Sequence, residues 1–472
     1  MNYLLIYPPA VMFAAGEKTG SRELTVPPLG LLYLARILED EGHIVEIIDY
    51  SAEEINLEKL KNAVNSADVI GMTVLTPSIQ NAEYLSRKIK EIDPNKTLIV
   101  GGPHCSLYPK RSLEELNADI SVEGEGEINI SDISKALEGK KSLSEIPGVY
   151  FKLKNKIKKG PTVKFIENLD LIPFPARHLV KKYKYGQIYN SKIEKEKFTS
   201  IISSRGCPHV CKFCTRQFIG MKKYRMRSKE NIIEELKELH EQDYEYIVIT
   251  DDSFLSHAKR AYQIMDSVIK EKLQFEFFIQ GARVDSADEK LYQKMRDAGV
   301  KGIAFGIESG NQDVLDFYNK KTTLQQIKYA INLSRKMGFI TLGSFILGAP
   351  FETRKHFENT INFALSLPLD VITFFPLEYR AGSEIWEDAV EEGKIDSEEY
   401  AVQTDINRGL GMFTNEEISK FCKKAHRKFY FRPSYIMDEL AKACNTKDFT
   451  FIKKGMKSGV QVFFSEMGGF FK

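Results

Sequence analysis

The feature that most constrains the fold of this chain is a repeated alternation of short β-branched runs with helical patterns. Within residues 1–140, such runs lie at 3–7, 44–50, 69–74, 97–100 and 119–122, with helical stretches at 29–41, 57–65, 79–92, 113–117 and 128–137. This alternation predicts βαβ units and a parallel sheet. Five strands make a small doubly wound domain, whose ligand site lies beyond the carboxyl ends of the strands. The residues at those ends include Pro8, Tyr50, Thr73, Thr76, Gly101, Gly102, His104, Glu123, Gly124 and Glu125.

The alternation resumes over 198–385, with strand candidates at 200–204, 246–250, 275–280, 302–307, 340–347 and 371–376. Six consecutive βα units predict a partial barrel, in which chemistry sits at the C-terminal strand ends. Between the two blocks, residues 141–197 read as a hairpin, IPGVYFKLKNKIKKGPTVK, and a proline-rich linker, LDLIPFPARHLV. The lysines of the hairpin read as a solvated face. Residues 386–472 read as helical and rich in aromatics, including Phe429, Tyr430, Phe431, Tyr435, Phe463, Phe464, Phe470 and Phe471.

Composition narrows the class. A chain of 472 residues with 43% hydrophobic and 28% charged residues has ample material for packed cores, which excludes disorder along most of its length. Lys and Arg number 67 against 65 Asp and Glu, so no basic excess points to nucleic acid. No apolar run reaches the roughly 20 residues that span a bilayer. The N-terminal run reads as a first strand, and six cysteines, too sparse for a disulfide scaffold, suit a reducing, cytoplasmic setting.

Three of those cysteines, Cys207, Cys211 and Cys214, stand as C-x3-C-x2-C directly after the first strand of the second block. Three thiolates on one loop can hold three irons of a [4Fe–4S] cluster and leave the fourth open to a ligand. A zinc loop is the alternative, and it asks for a fourth ligand such as His209.

C-x3-C-x-Phe-C after the first strand of a six-unit βα barrel resembles the radical S-adenosylmethionine (SAM) superfamily. The resemblance implies that Cys207, Cys211 and Cys214 hold a [4Fe–4S] cluster whose open iron is chelated by SAM. It also implies one-electron cleavage of SAM to a 5′-deoxyadenosyl radical. By the same resemblance SAM is contacted by Phe213, by Asp252 in ITDDSF, by Arg283 in GARVD, by Glu308 and Ser309 in GIESG, and by Gly348 in FILGAPFET. The first block, through VPPLGLLYLARILEDEGHIVEIID, VIGMTVLTPSIQNA, IVGGPHCSLYP and ISVEGEGE, resembles the cobalamin-binding domain of the B12-dependent radical SAM subfamily. That implies cobalamin contacts at Pro8, Thr73, Thr76, Gly101, Gly102, His104, Glu123, Gly124 and Glu125. The Asp-x-His-x-x-Gly segment that ligates cobalt in many corrinoid proteins has no counterpart, and His104 is the candidate axial ligand at a strand end.

The expected architecture is an N-terminal Rossmann-like (flavodoxin-like) cobalamin domain at 1–140, a linker at 141–197, a partial (β/α)6 TIM-like radical SAM barrel at 198–385 and a helical region at 386–472. The expected activity is methylation of an unactivated carbon in a small or lipid-like substrate. The expected cofactors are the cluster, SAM and cobalamin, with flavodoxin or ferredoxin as electron donor. Ring closure or rearrangement within the same subfamily, and a non-catalytic corrinoid or SAM sensor, are the alternatives. A methylthiotransferase would need three further cysteines near the N-terminus, where only Cys105 lies. The aromatic C-terminal region could pack a hydrocarbon substrate or touch a membrane surface.

Overall fold

Seven strands form the first sheet of the computed structural model, which describes residues 1–9, 26–154, 156–188, 191–192, 197–215 and 223–446. They are β1 (Asn2–Tyr7), β2 (Ile44–Asp49), β3 (Val69–Thr73), β4 (Thr97–Gly101), β5 (Ile120–Val122), β6 (Val149–Leu153) and β7 (Lys156–Lys159). Their order is β2-β1-β3-β4-β5-β6-β7, with β1 to β5 parallel and the last two antiparallel. Alternate residues of β1 point into different cores. Tyr3 and Leu5 pack with helices Leu29–Asp40 and Gly126–Leu137, and Leu4 and Ile6 with Leu57–Ser66, Ile79–Ile92 and Pro109–Glu115. Burial on both faces explains why the strands read as nearly continuous apolar runs. The order 2-1-3-4-5 is the flavodoxin-like one, with its switch point between β1 and β3.

The hairpin expected from the lysine alternation is β6 and β7. It forms an edge of this sheet, with Lys152, Lys156, Lys158 and Lys159 exposed. The linker beyond it packs Leu169, Ile172, Ala176 and Val180 onto the first core.

The second sheet contains β8 (Phe198–Ile201), β9 (Tyr246–Ile249), β10 (Glu276–Ala282), β11 (Val300–Glu308), β12 (Ile340–Leu347) and β13 (Val371–Pro376), all parallel and in chain order. Outward-facing Ile247, Ile249, Ile279, Ile303, Phe345 and Phe374 meet the surrounding helices. Inside, Phe198, Tyr246, Val248, Phe278 and Leu342 form an apolar plug, with Val26 and Tyr185 packed against it. Further along the strands lies a cavity of about 180 Å³, lined by Gly281, Ala304, Gly306, Ser344, Val371, Thr373 and their neighbours. Every lining side chain is uncharged.

β8 stops at Ile201, short of the expected 204. The chain bends there because the Asp251 carboxylate takes the Ser203 amide at 2.6 Å and the Ser203 and Ser204 hydroxyls at 2.5 Å each. Below this bend, Glu235 is 1% exposed and lies between Arg177 (2.6 Å) and Arg227. Arg177 comes from the linker, so this buried triad fastens the linker to the barrel.

The region beyond 386 is only partly helical. Glu378–Arg380 pairs antiparallel with Ala401–Gln403, a ribbon too short to show any sequence period, and Tyr379 and Val402 are buried beneath it. Helix Asn415–Tyr430 starts on a capping box made by Thr414 and Glu417. It lies along the free edge of β13. The Tyr430 hydroxyl accepts from the Ile372 amide (3.2 Å) and donates to the Ile372 carbonyl (3.1 Å). His426 Nε2 accepts from the Phe374 amide at 3.2 Å. Burial pushes His426 down to about 4, which keeps that nitrogen an acceptor. Phe429 is fully buried, Tyr435 donates to the Asp370 carbonyl and Phe431 is exposed. Phe463, Phe464, Phe470 and Phe471 lie outside the described residues.

Candidate active site

The three clustered cysteines follow β8 on a loop that is fixed at both ends. Arg205 pairs with Arg225 in a short antiparallel ladder. Gly206 comes next at φ +83°, and a Cβ there would stand 2.1 Å from the Lys223 carbonyl oxygen. Only glycine suits such a turn. Gly206→Ala should therefore displace Cys207 and lower the iron content and visible absorbance of anaerobically reconstituted protein severalfold. Wild-type iron content in that variant would contradict the constraint.

Further along the loop, the Lys212 amide donates to the Tyr318 carbonyl (3.0 Å), Asn319 donates to the Val210 carbonyl (2.9 Å) and the Ile385 amide donates to the Lys212 carbonyl (3.2 Å). Cys207, Cys211 and Cys214 are half-buried, and none is in a disulfide. His209 is engaged through Nε2 with the Ser256 hydroxyl at 3.1 Å.

The expected SAM residues divide into two groups. Arg283, 6% exposed, brings Nη1 to 3.9 Å from Cys211 Sγ while its other nitrogens bond Asp285 and the Lys320 carbonyl. Phe213 meets the Tyr318 ring edge-on at 5.2 Å. Asp252 is half-buried at the end of β9, next to Asp251, whose carboxylate the serines occupy. Gly348, at φ +113°, donates its amide to Glu352 at 2.7 Å and accepts from the Thr404 hydroxyl. Glu308 adopts the left-handed φ of +68° and pairs with Lys320 at 2.7 Å, both being under 9% exposed. Ser309 belongs to another network: it is fully buried, and its hydroxyl meets Thr360 and the Asn311 amide.

Sequence reading missed Lys320 and Glu352. Lys320 stands in YNKKTT, which resembles a solvated charge run. Glu352 stands four residues after Gly348 and takes both the Gly348 and Ala349 amides. Burial pushes Glu352 up to about 7 despite those two donors.

At the strand ends of the first sheet, Thr73, Gly102, Ser106 and Gly124 form a continuous rim. A Cβ on Gly102 would stand 2.7 Å from Thr73 Oγ1. Ser106 donates to the Gly102 carbonyl and accepts from the Gly124 amide, each at 3.0 Å. Gly101, Thr76 and Glu123 are half-buried along the same edge, and Pro8 is buried at the end of β1.

His104 and Glu125 are held in other ways. His104 is fully buried, with Tyr108 and Tyr400 rings at 5.5 and 4.6 Å and Thr76 Oγ1 at 3.3 Å from Nδ1. Its Nε2 has no hydrogen-bond partner among the described residues. Burial, first, and nearby Arg111 push His104 down to about 4, against the pull of Glu115. Glu125 accepts from Arg205 (2.8 Å), from both terminal nitrogens of Arg225 (2.7 and 2.9 Å) and from the Ile166 amide (2.8 Å). Burial raises the pKa of Glu125, but the two guanidiniums outweigh it and hold the group below the usual carboxylate range.

Residues 201–364 match the radical SAM superfamily and residues 19–133 match the B12 binding domain. An uncharacterised methyltransferase of Pyrococcus horikoshii is 33% identical over 449 residues, covering 93% of this chain and 95% of its own. The chain belongs to the B12-binding radical SAM enzymes. An anaerobic magnesium-protoporphyrin IX monomethyl ester cyclase of Rubrivivax gelatinosus is 26% identical, covering 94% of this chain and 81% of its own. Among solved structures, the cobalamin-dependent radical enzyme OxsB with aqua-cobalamin bound superposes with a TM-score of 0.71 at 18% identity, over 98% of this chain and 72% of that one.

The cofactors of this B12-binding radical SAM enzyme are a [4Fe–4S] cluster, SAM and cobalamin. Its donor set suits them. Three thiols on one loop offer one ligand to each of three irons. At the strand ends of the first sheet, Gly102 and Gly124 bring backbone close against Thr73 and Val163, which keeps the rim low and compact. Among the described residues, no helix is long and apolar enough to cross a membrane.

Proposed function

We propose that the enzyme methylates an unactivated carbon of a small or lipid-like substrate in the space between the two strand-end edges. The observation that carries this reading is the direct joining of those edges. Glu125, at the rim of the first sheet, holds Arg205, two residues before Cys207. When bound, the cofactors supply one-electron cleavage of SAM and a methyl group for transfer.

The chain's own residues position and enclose. Cys207, Cys211 and Cys214 hold the cluster. Arg283, beside Cys211, offers a guanidinium to the SAM carboxylate, and Asp252 offers a carboxylate to its ammonium. Phe213 and the backbone at Gly348 flank the adenine, and Glu308, held by Lys320, reaches the SAM hydroxyls. Pro8, Thr73, Thr76, Gly101, Gly102, Glu123 and Gly124 form the corrin shelf. The uncharged barrel cavity fits the apolar surroundings of an unactivated carbon, at a size that admits the reacting portion of a lipid and not the whole molecule.

Arg283→Ala should weaken SAM binding by about tenfold or more, the worth of a charge-assisted hydrogen bond. Equilibrium binding to reconstituted protein checks this, and unchanged affinity would remove Arg283 from the site.

The reading itself is tested by reconstituting the protein anaerobically with iron, sulfide and hydroxocobalamin, then adding SAM, dithionite and candidate substrates. Equal yields of 5′-deoxyadenosine and S-adenosylhomocysteine, with a methylated product, would support methylation. 5′-Deoxyadenosine alone, with a dehydrogenated or cyclised product, would replace it with the cyclase chemistry for which the Rubrivivax relative is named.

A further inference from the structure

The contact that joins the two domain edges is built more elaborately than simple domain packing requires. Glu125 lies between the glycine rim and the start of helix Gly126–Leu137. Its side chain is 10% exposed and meets Arg205 (19%) and Arg225 (7%), while neighbouring Glu127 (8%) takes the other end of Arg205 at 2.5 Å. Arg225 also donates to the Ile166 carbonyl at 2.6 Å, so the linker is held in the same knot. The two arginines face each other across the ladder that opens the cysteine loop. The Arg205 guanidinium lies over the Tyr33 ring at 5.7 Å, and that of Arg225 over Phe165 at 5.4 Å. Both cations are thus held by acceptors and ring faces that belong to the first domain and the linker.

We propose that Glu125 is a positioning residue that links cobalamin binding energetically to the order of the cluster loop. The inference rests on the placement of cobalamin at the glycine rim. Gly124 forms part of that rim, and Glu125 is its chain neighbour. Arg205 stands one residue before Gly206, whose turn sets Cys207. A shift of the rim is therefore carried to the first cluster ligand through the ion pairs that Arg205 makes with Glu125 and Glu127. Ordering either loop has an entropic cost, and the clamp makes that cost common to both sites. The cofactor that binds second then meets a loop already ordered, which is positive coupling. Coupling of this kind is reciprocal and amounts to about 5- to 150-fold in affinity.

The test measures hydroxocobalamin dissociation constants by anaerobic absorbance titration of the full-length protein, with the cluster reconstituted and without it. The electron paramagnetic resonance spectrum of the reduced cluster is recorded with and without hydroxocobalamin. In the wild type, hydroxocobalamin should bind about fivefold or more tightly when the cluster is present, and should alter the cluster signal. In Glu125→Gln the affinity ratio should fall toward one, and Glu125→Asp should restore part of it. Glu127→Gln leaves the Arg225 pair intact and is the milder variant, in which the ratio should fall to an intermediate value. It remains decisive if Glu125→Gln does not fold. A wild-type ratio of one, or an undiminished ratio in Glu125→Gln or Glu127→Gln, overturns the inference and leaves the proposed reaction standing. Absence of hydroxocobalamin binding by the wild type overturns both.

Discussion

Replacing any one of Cys207, Cys211 and Cys214 by alanine should reduce 5′-deoxyadenosine formation from SAM to background, a loss of at least about a thousandfold. Such a cluster depends on three thiolates that hold three irons and leave one iron open to SAM. Two thiolates cannot maintain that arrangement, so the variants lose the reaction itself and are not merely slowed. The fold should survive, because all three side chains lie on a half-buried loop outside the apolar cores. The discriminating measurements are therefore iron content, the visible spectrum and 5′-deoxyadenosine yield, set against a circular dichroism melt close to that of the wild type. SAM cleavage retained in any of the three variants would contradict the assignment.

The second large effect concerns stability. Glu235→Gln should lower the unfolding free energy by about 3–5 kcal/mol, the usual cost of removing one partner from a buried ionic cluster. The neutral amide would leave the Arg177 and Arg227 guanidiniums buried without their counter-charge. The same group predicts a pH dependence. Burial raises the Glu235 pKa, but Arg177 and Arg227 outweigh burial and hold the carboxyl below its ordinary 4.5. A carboxyl depressed in the folded state contributes stability that is present in full above its unfolded pKa. That contribution is lost as the pH falls through the folded value. The wild type should therefore lose stability steeply below about pH 4.5, and the variant should show a flatter acid limb. Chemical denaturation at neutral pH and at pH 4 measures both effects, and equal midpoints for the two proteins would refute the role of the triad.

What could be read in advance was whatever is local in the chain. Short β-branched runs set between helical patterns marked the strands, and β12 and β13 lie where the pattern placed them, at Ile340–Leu347 and Val371–Pro376. The cysteine cluster was legible for the same reason, since Cys207, Cys211 and Cys214 fall within one short loop. Pairings between distant residues were not legible. Glu125 and Arg225 lie 100 positions apart and each resembles an ordinary surface charge until folding joins them. His104 stands at a strand end, where a metal ligand would be sought. The ring that encloses it belongs to Tyr400, whose hydroxyl also reaches back 285 positions to Glu115. Lys320 and Glu308 are only 12 apart, but a helix and a turn intervene, and neither residue type announces a buried pair. The three-residue ribbon at 401–403 escaped because no period can be read from so few residues.

An incompletely closed barrel has a particular hazard, since its terminal strand carries backbone donors and acceptors with no neighbour. In this protein Tyr430 imitates a strand, taking an amide proton and giving a hydroxyl proton at the same residue, Ile372, while His426 takes the next outward amide, that of Phe374. A seventh strand approaching this margin would find its docking points occupied. The helix therefore acts as a guard against runaway self-association of the kind that exposed sheet margins template. Chains cut before residue 415 should precipitate at concentrations that the full chain tolerates, whatever their catalytic fate.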